Sequence, residues 1–388
     1  MTLERIYLDN AATSWPKPEA VYAAVDRYHR ELGAPAGRSA YREAGEVSRL
    51  IENARSGVAQ VLGVDDPRRI VFCFNGTDAL NTAIHGALRD GDHVVTSDAE
   101  HNSVLRPLAH LAAQGRITVT HVPCDAAGRI KPVDVRSALA PETRLVALAH
   151  VLNVTGTIQP LDEVGRFVRS HGALFLVDAA QSLGHLPFSV GDLQCDLLAA
   201  PGHKGLLGPL GTGVLYIRPG VEAELTSFRQ GGTGTQSESD QQPVDMPAKF
   251  ESGNHNVAGI VGLGAGCEFI LEHGIEMVHA NITRLADDLR GALAGIEGVT
   301  VYGPDEAAER VGVVSINVRG YDPQEIASAL DAHFHVQVRA GLHCAARIHT
   351  SLKTDQFGGT VRFSLGPFNT AEHIKAAAEA IAEIAASG

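Results

Sequence analysis

From Glu43 to Leu62 the apolar positions Val47, Leu50, Ile51, Ala54, Val58, Val61 and Leu62 recur at the spacing of a helix with one core-facing side. The pattern then changes to short runs that are apolar almost throughout: RIVFCF, HVVTS, ITVTHV, RLVALAH, ALFLVD, DLLAA and GVLYI, several of them separated by helix-forming stretches that begin at Asp78, Val104 and Leu161. Strands without an alternating polar side are buried on both faces. The order therefore predicts an α/β domain whose mostly parallel sheet is flanked by helices. A helical stretch from near Val257 leads out of it. Beyond, VTVYG, VGVVSINV and HVQVRA read as strands, and Pro323 to Ala332 and Ala371 to Ala386 as helices, which makes a smaller α+β unit. The expected division is a short N-terminal segment, 1–15, packing near the active site; a large domain, 16–260; and a small C-terminal domain, 261–388.

With 20% charged and 44% hydrophobic residues the chain has the balance of a soluble enzyme. Its formal charge of -13 argues against nucleic acid or an anionic membrane as partner. MTLERIYLDN has no apolar signal region and no later segment suits a membrane span, so a cytoplasmic location is expected. Five widely spaced cysteines without a C-x-x-C pair speak against a disulfide framework. Eighteen histidines show no metal-ligand spacing, so no metal is expected. Residues 230–243, QGGTGTQSESDQQP, read as a polar surface loop.

Open α/β sheets collect ligands at the carboxyl ends of their strands. RIVFCF is followed by Asn75, Gly76 and Thr77 at a helix start, where free N–H groups suit a phosphate; a threonine N-cap without ligand fits equally. After HVVTS comes His101, placed to stack on a planar ring or to hold its loop, and after RLVALAH comes Asn153. ALFLV ends in Asp178, with Gln181 close behind. A carboxylate there is costly unless donors or a cation meet it, and a protonated pyridine nitrogen would. DLLAA leads into PGHKG, with His203 and Lys204. A desolvated lysine can form a Schiff base with an aldehyde such as pyridoxal phosphate; taken alone, a loop lysine fits as well. The turn at Asn10 and Ala11 suits close backbone approach to a ligand or an ordinary strand exit. Arg339 and Arg362 are placed to grip a carboxylate in two-pronged fashion or to make surface ion pairs. Cys344, after His343 and between Arg339 and Arg347, fits a thiol that ionises readily or an inert loop cysteine.

The motifs YLDNAAT, FNGTDALN, AEHNS, NVTGTIQP, VDAAQS, PGHKG, FESGN, RAGLHCA and VRFSLGPFNT, in this order, resemble the class V, fold-type I pyridoxal phosphate enzymes, and within them the group II cysteine desulfurases and selenocysteine lyases. The resemblance implies that Lys204 joins the cofactor aldehyde, Asp178 holds the ring nitrogen, Gln181 meets the phenolic oxygen and His101 stacks on the ring. Gly76, Thr77 and His203 would bind phosphate. Asn153 and Arg362 would take the substrate carboxylate, with Arg339, Asn10 and Ala11 nearby, and Cys344 would accept sulfur. It further implies a homodimer with shared sites, cysteine or selenocysteine as substrate, and a sulfur- or selenium-acceptor protein. Two positions depart from the pattern: Pro201 stands where relatives have serine, and Asn254 where they have a threonine that serves the partner's phosphate. The alternatives are a selenocysteine lyase, a class V aminotransferase or other pyridoxal phosphate lyase, and a non-catalytic scaffold.

Overall fold

The computed structural model describes residues 5–37, 41–235 and 238–387. Four residues of the expected N-terminal segment and two of the 230–243 loop fall outside these. A seven-stranded sheet forms the centre, in the order Ile70–Cys73, Gly213–Ile217, Leu197–Pro201, Leu174–Asp178, Thr143–Ala149, His93–Ser97 and Thr118–Val122. Every strand is parallel to the others except Gly213–Ile217, which runs antiparallel to both neighbours. The reason lies in its connection. Residues 202–212 are short and Gly/Pro-rich, with no room for a crossover helix, so the chain turns straight back. Lys204 sits on that reversal.

Successive strand residues feed opposite cores. Val146, Leu148, Phe175 and Val177 face one, with the helices Arg42–Leu62 and Val257–His273; Leu145, Ala147, Leu176 and Leu197 face the other, with Gly76–Ala87 and Asn102–Ala113. The edge strand Thr118–Val122 alternates exposed and part-buried residues, as its TVTHV sequence requires of a strand wet on one side.

The boundary expected at 260/261 does not coincide with the change of core. The helix Val257–His273 belongs to the large core, through Val257, Ile260, Leu263, Cys267 and Ile270. The next helix, Ile275–Ala294, is bent 85° from it and supplies Val278, Ile282, Leu285 and Leu289 to the small unit's core. Gly274 separates the two. No single helix among the described residues is long and apolar enough to cross a membrane.

In the small unit an antiparallel sheet orders Arg339–Gly341, Thr360–Ser364, Val313–Val318 and Val299–Tyr302. HVQVRA, expected as one strand, is two. Val336–Gln337 pairs with the N-terminal strand Ile6–Tyr7, whereas Arg339–Gly341 joins the sheet. Leu8 consequently lies in the small unit's core, and the segment after it runs across to the large one.

Candidate active site

The carboxyl ends of the parallel strands open into a cavity of about 100 Å³. Its walls include Gly76, Thr77, His101, Asn153, Asp178, Gln181, His203 and Lys204. Strand ends far apart in sequence thus bring together eight of the expected residues.

The helix start lies two residues before the expected Asp78: the helix is Gly76–Ala87, and Asn75, not Thr77, is its N-cap, accepting from Asp78 N at 2.8 Å. Asn75 is the better cap because its short amide oxygen reaches the third helical N–H. This leaves Gly76 and Thr77 N–H without intrahelical acceptors at the cavity end. A Cβ on Gly76 would stand 3.0 Å from Pro201 Cδ, so glycine is what lets the two strand ends close up.

His101 caps the helix Asn102–Ala113, which starts earlier than the Val104 expected. Its Nδ1 accepts from Ser103 N at 3.0 Å. Burial, with Lys204, Arg339, Arg362 and Arg106 nearby, pulls its pKa down to about 4, so the ring is neutral. Asp178 receives Ala180 N at 2.9 Å; burial pushes its carboxyl upward against the pull of that N–H and of Lys204. Burial lowers Lys204 to about 8, with Arg362 and Arg339 acting the same way and Asp178 and Asp9 opposing. A minor but appreciable share of the amine is therefore neutral near physiological pH, far more than for a solvated lysine. His203 is lowered to about 4, mainly by burial, and its Nδ1 is buried without a hydrogen-bond partner in the described structure.

The Lys204 reversal is clamped from two sides. The His203 carbonyl receives Ser14 N at 2.9 Å and Thr13 Oγ1 at 3.1 Å, and Lys17 Nζ reaches it at 3.4 Å while also bonding Ser14 O and Oγ at 2.8 Å. Beneath it, the glycines of Val257–His273 admit close contact: a Cβ on Gly266 would lie 2.3 Å from Leu206 O.

Cys344 lies on a loop beside the cavity. Asn102 N donates to Cys344 O at 2.8 Å and Asn153 Nδ2 to His343 O at 2.6 Å, tying the loop to the elements that carry His101 and Asn153. Arg339 Nη2 donates to Cys344 Sγ at 3.2 Å. His343 and Cys344 both have left-handed backbones, φ 50° and 59°, a cost on the order of 1–3 kcal/mol each.

Other expected residues are placed differently. Asn10 and Ala11 do not line the cavity. Asn10 Nδ2 donates to Ser364 O at 3.0 Å, Ala11 N to Ser364 Oγ at 2.8 Å, and Ala11 O accepts from Gln181 Nε2 at 3.0 Å, so their polar groups knit the two units together. Arg362 is 1% exposed and stands behind the wall, paired to Asp9 at 2.7 Å and donating to Asn153 O at 3.1 Å, with Nε unpartnered. Asn254 is exposed and outside the cavity. Its loop is fixed by Glu251, which forms a buried bidentate pair with Arg55 at 2.7 and 3.1 Å. Sequence reasoning missed Ser103, Lys17 and the Asp9 partner of Arg362. For Ser103 the cap spacing in AEHNS was a usable signal; the other two bond residues 186 and 353 positions away, which no local pattern marks. Among the described residues no group of three metal-ligating side chains comes together.

This donor set suits a phosphorylated pyridine aldehyde. The residues carrying the free helix N–H groups and the unpartnered His203 Nδ1 line the cavity, a buried carboxylate can meet a ring nitrogen, and an amine with a lowered pKa can meet an aldehyde. Comparison with known proteins agrees. The family model described as Aminotransferase class-V matches residues 6–377. The probable cysteine desulfurase of Methanothermobacter thermautotrophicus is 37% identical, covering 99% of this chain and 96% of its own; that of Halalkalibacterium halodurans is 35% identical, covering 97% and 92%. Among solved structures, the apo cysteine desulfurase of Thermococcus onnurineus NA1 superposes with a TM-score of 0.92 at 33% identity, covering 99% and 95% of the two chains. The cysteine desulfurase CsdA of Escherichia coli, in its S-sulfonic acid form, gives 0.88 at 30%, with the same coverage. The chain belongs to the class-V aminotransferase family and, within it, to the cysteine desulfurases.

Proposed function

We propose that this chain is a pyridoxal phosphate-dependent cysteine desulfurase that converts L-cysteine to L-alanine and carries the released sulfur on Cys344. The observation that carries the reading is the Lys204 amine, its pKa lowered by burial, sharing one cavity with the Asp178 carboxylate, beside a thiol held by Arg339. Gly76, Thr77 and His203 would hold the phosphate, Asp178 the ring nitrogen, Gln181 the phenolic oxygen and Lys204 the aldehyde carbon, with His101 against the ring. When bound, the cofactor supplies the electron sink for the pair left when the substrate's Cα–H bond breaks. Lys204 Nζ takes that proton. Asn153 on the cavity wall, with Arg362 behind it, is assigned to the substrate carboxylate. Cys344 Sγ, as thiolate, attacks the substrate sulfur; the Cβ–S bond breaks, a persulfide remains on Cys344, and alanine leaves after proton return.

Asn254, outside its own cavity on a fixed loop, is read as serving the phosphate of a second copy, so the active form is a homodimer. Five unpaired cysteines suit a reducing cytoplasm, and a thiol-bearing acceptor protein would collect the sulfur. The test is incubation with cysteine and with selenocysteine, assaying alanine and the released chalcogen. Wild type should form alanine and, under reductant, sulfide; Cys344→Ala should lose at least about a hundredfold of the sulfide rate yet keep the cofactor spectrum. Undiminished desulfuration by Cys344→Ala contradicts the assignment, and selenium release surviving in that variant would shift the reading to a selenocysteine lyase.

A further inference from the structure

Two helices begin at the cavity, and hydroxyls from their first turns meet. Thr77, on Gly76–Ala87, and Ser103, on Asn102–Ala113, stand Oγ1 to Oγ at 2.7 Å. Ser103 Oγ is also 2.9 Å from His101 Nδ1, which takes Ser103's own N–H at 3.0 Å. Ser103 is 8% exposed. We propose that Ser103 is a positioning residue that relays occupancy of the phosphate subsite at Thr77 to the hydrogen bonding of His101 Nδ1. The inference rests on the reading of Gly76 and Thr77 as the phosphate end of the cavity.

The argument is a count of protons. A backbone N–H only donates, so Nδ1 of the neutral ring is an acceptor and the ring proton is on Nε2. The Ser103 hydroxyl has one proton and two acceptors within reach, Thr77 Oγ1 and His101 Nδ1. A phosphate dianion can only accept. Once Thr77 gives its proton to phosphate, Thr77 Oγ1 turns acceptor and draws the Ser103 proton away from the ring. Nδ1 then loses one of two donors, and the ring becomes more basic. With the subsite empty, Thr77 donates to Ser103, the Ser103 proton turns to Nδ1, and the ring is held at its least basic. The charged groups around His101 are Lys204 on the reversal, Arg339 and Arg362 on the small unit's sheet, and Arg106 on its own helix. All four are cationic when protonated, so the hydroxyl relay acts on a ring that its surroundings already keep neutral. The consequence is a histidine that is more basic with the phosphate group seated than with the subsite empty.

The test uses the full chain, freed of cofactor and labelled with ¹⁵N-histidine, with the His101 signals assigned by their absence in His101→Gln. Their pH titration is followed with and without saturating inorganic phosphate in wild type, Ser103→Ala and Ser103→Thr. Without phosphate, Ser103→Ala should raise the His101 midpoint by roughly half a pH unit or more, because a donor to Nδ1 is gone. Phosphate should raise the midpoint further in wild type than in Ser103→Ala, where only its charge acts, and Ser103→Thr should restore the wild-type response. Ser103→Cys, a weak donor of the same shape, replaces the alanine variant if that does not fold, and should behave like it. Equal phosphate-induced shifts in wild type and Ser103→Ala, with phosphate bound in both, would overturn the relay and leave the functional reading standing. Phosphate that does not bind, or does not compete with pyridoxal phosphate, would overturn the reading of the subsite and the relay with it.

Discussion

At the scale of single residues, the chemistry depends on burial setting the proton state of a few groups. Lys204 is the clearest case. Its pKa is lowered to about 8, so its neutral, nucleophilic form grows as pH rises through that value, more than two units below where a solvated lysine would change. The rate at which cofactor-free protein captures pyridoxal phosphate, followed by absorbance, should climb through about pH 8 and then level; a rise confined to pH 10 and above would contradict the assignment. The neighbouring imidazoles were legible in the sequence as residues at strand ends, but their neutrality was not. It comes mainly from burial of His101 and His203, helped by the Lys204 charge near both, and burial is not encoded by the residues next to either in the chain. Likewise Arg362 was readable as a carboxylate-binding candidate, whereas its pairing with Asp9 joins the two ends of the chain and is visible only once they are folded together.

At the scale of elements, the site exists because one connection in a parallel sheet is too short to cross over. The apolar runs made the strands legible, and PGHKG was legible as a loop between two of them, though not as a reversal. Less legible was what supports the turn. The helix Val257–His273 is apolar on nearly every side, so periodicity showed a buried helix without showing which neighbour each face meets. Its glycines answer that: Gly266 meets Leu206 O, Gly262 meets Pro209, and Gly264 meets Ala54. Gly266→Ala should therefore push the Lys204 reversal upward, lowering stability by about 1–3 kcal/mol as overpacking does and weakening cofactor retention several-fold. Urea denaturation and dialysis of the loaded protein measure the two effects. Unchanged retention would mean that the helix does not position the lysine. HVQVRA was misread as one strand for a related reason: both of its partners, Ile6–Tyr7 and Thr360–Ser364, are distant in sequence, and alternation alone does not say that the pairing changes at Val338.

At the scale of the whole molecule, the N-terminal segment pairs with the small unit, then clamps the Lys204 reversal of the large one, so the two cores meet at the chemistry. Several histidines are buried neutral in this assembly. His150 and His185, like His101 and His203, are lowered to about 4 by burial. The sign follows directly. Between pH 6.5, where an unfolded histidine titrates, and about 4, the unfolded chain binds more protons than the folded one, so stability falls as pH falls through that window. Thermal melts should show Tm declining already between pH 6.5 and 5, above the range of ordinary carboxylates; a flat Tm there would contradict the burial of neutral imidazoles. The same scale holds the expectation of a shared site: analytical ultracentrifugation should find a dimer, and a fully active monomer would remove the role given to Asn254. The central claim, that the cofactor is joined to Lys204, is tested most directly by borohydride reduction of the loaded protein followed by peptide mass mapping. The account predicts one reduced cofactor per chain, on the peptide containing Lys204. A label on another lysine, or none at saturating pyridoxal phosphate, would contradict it.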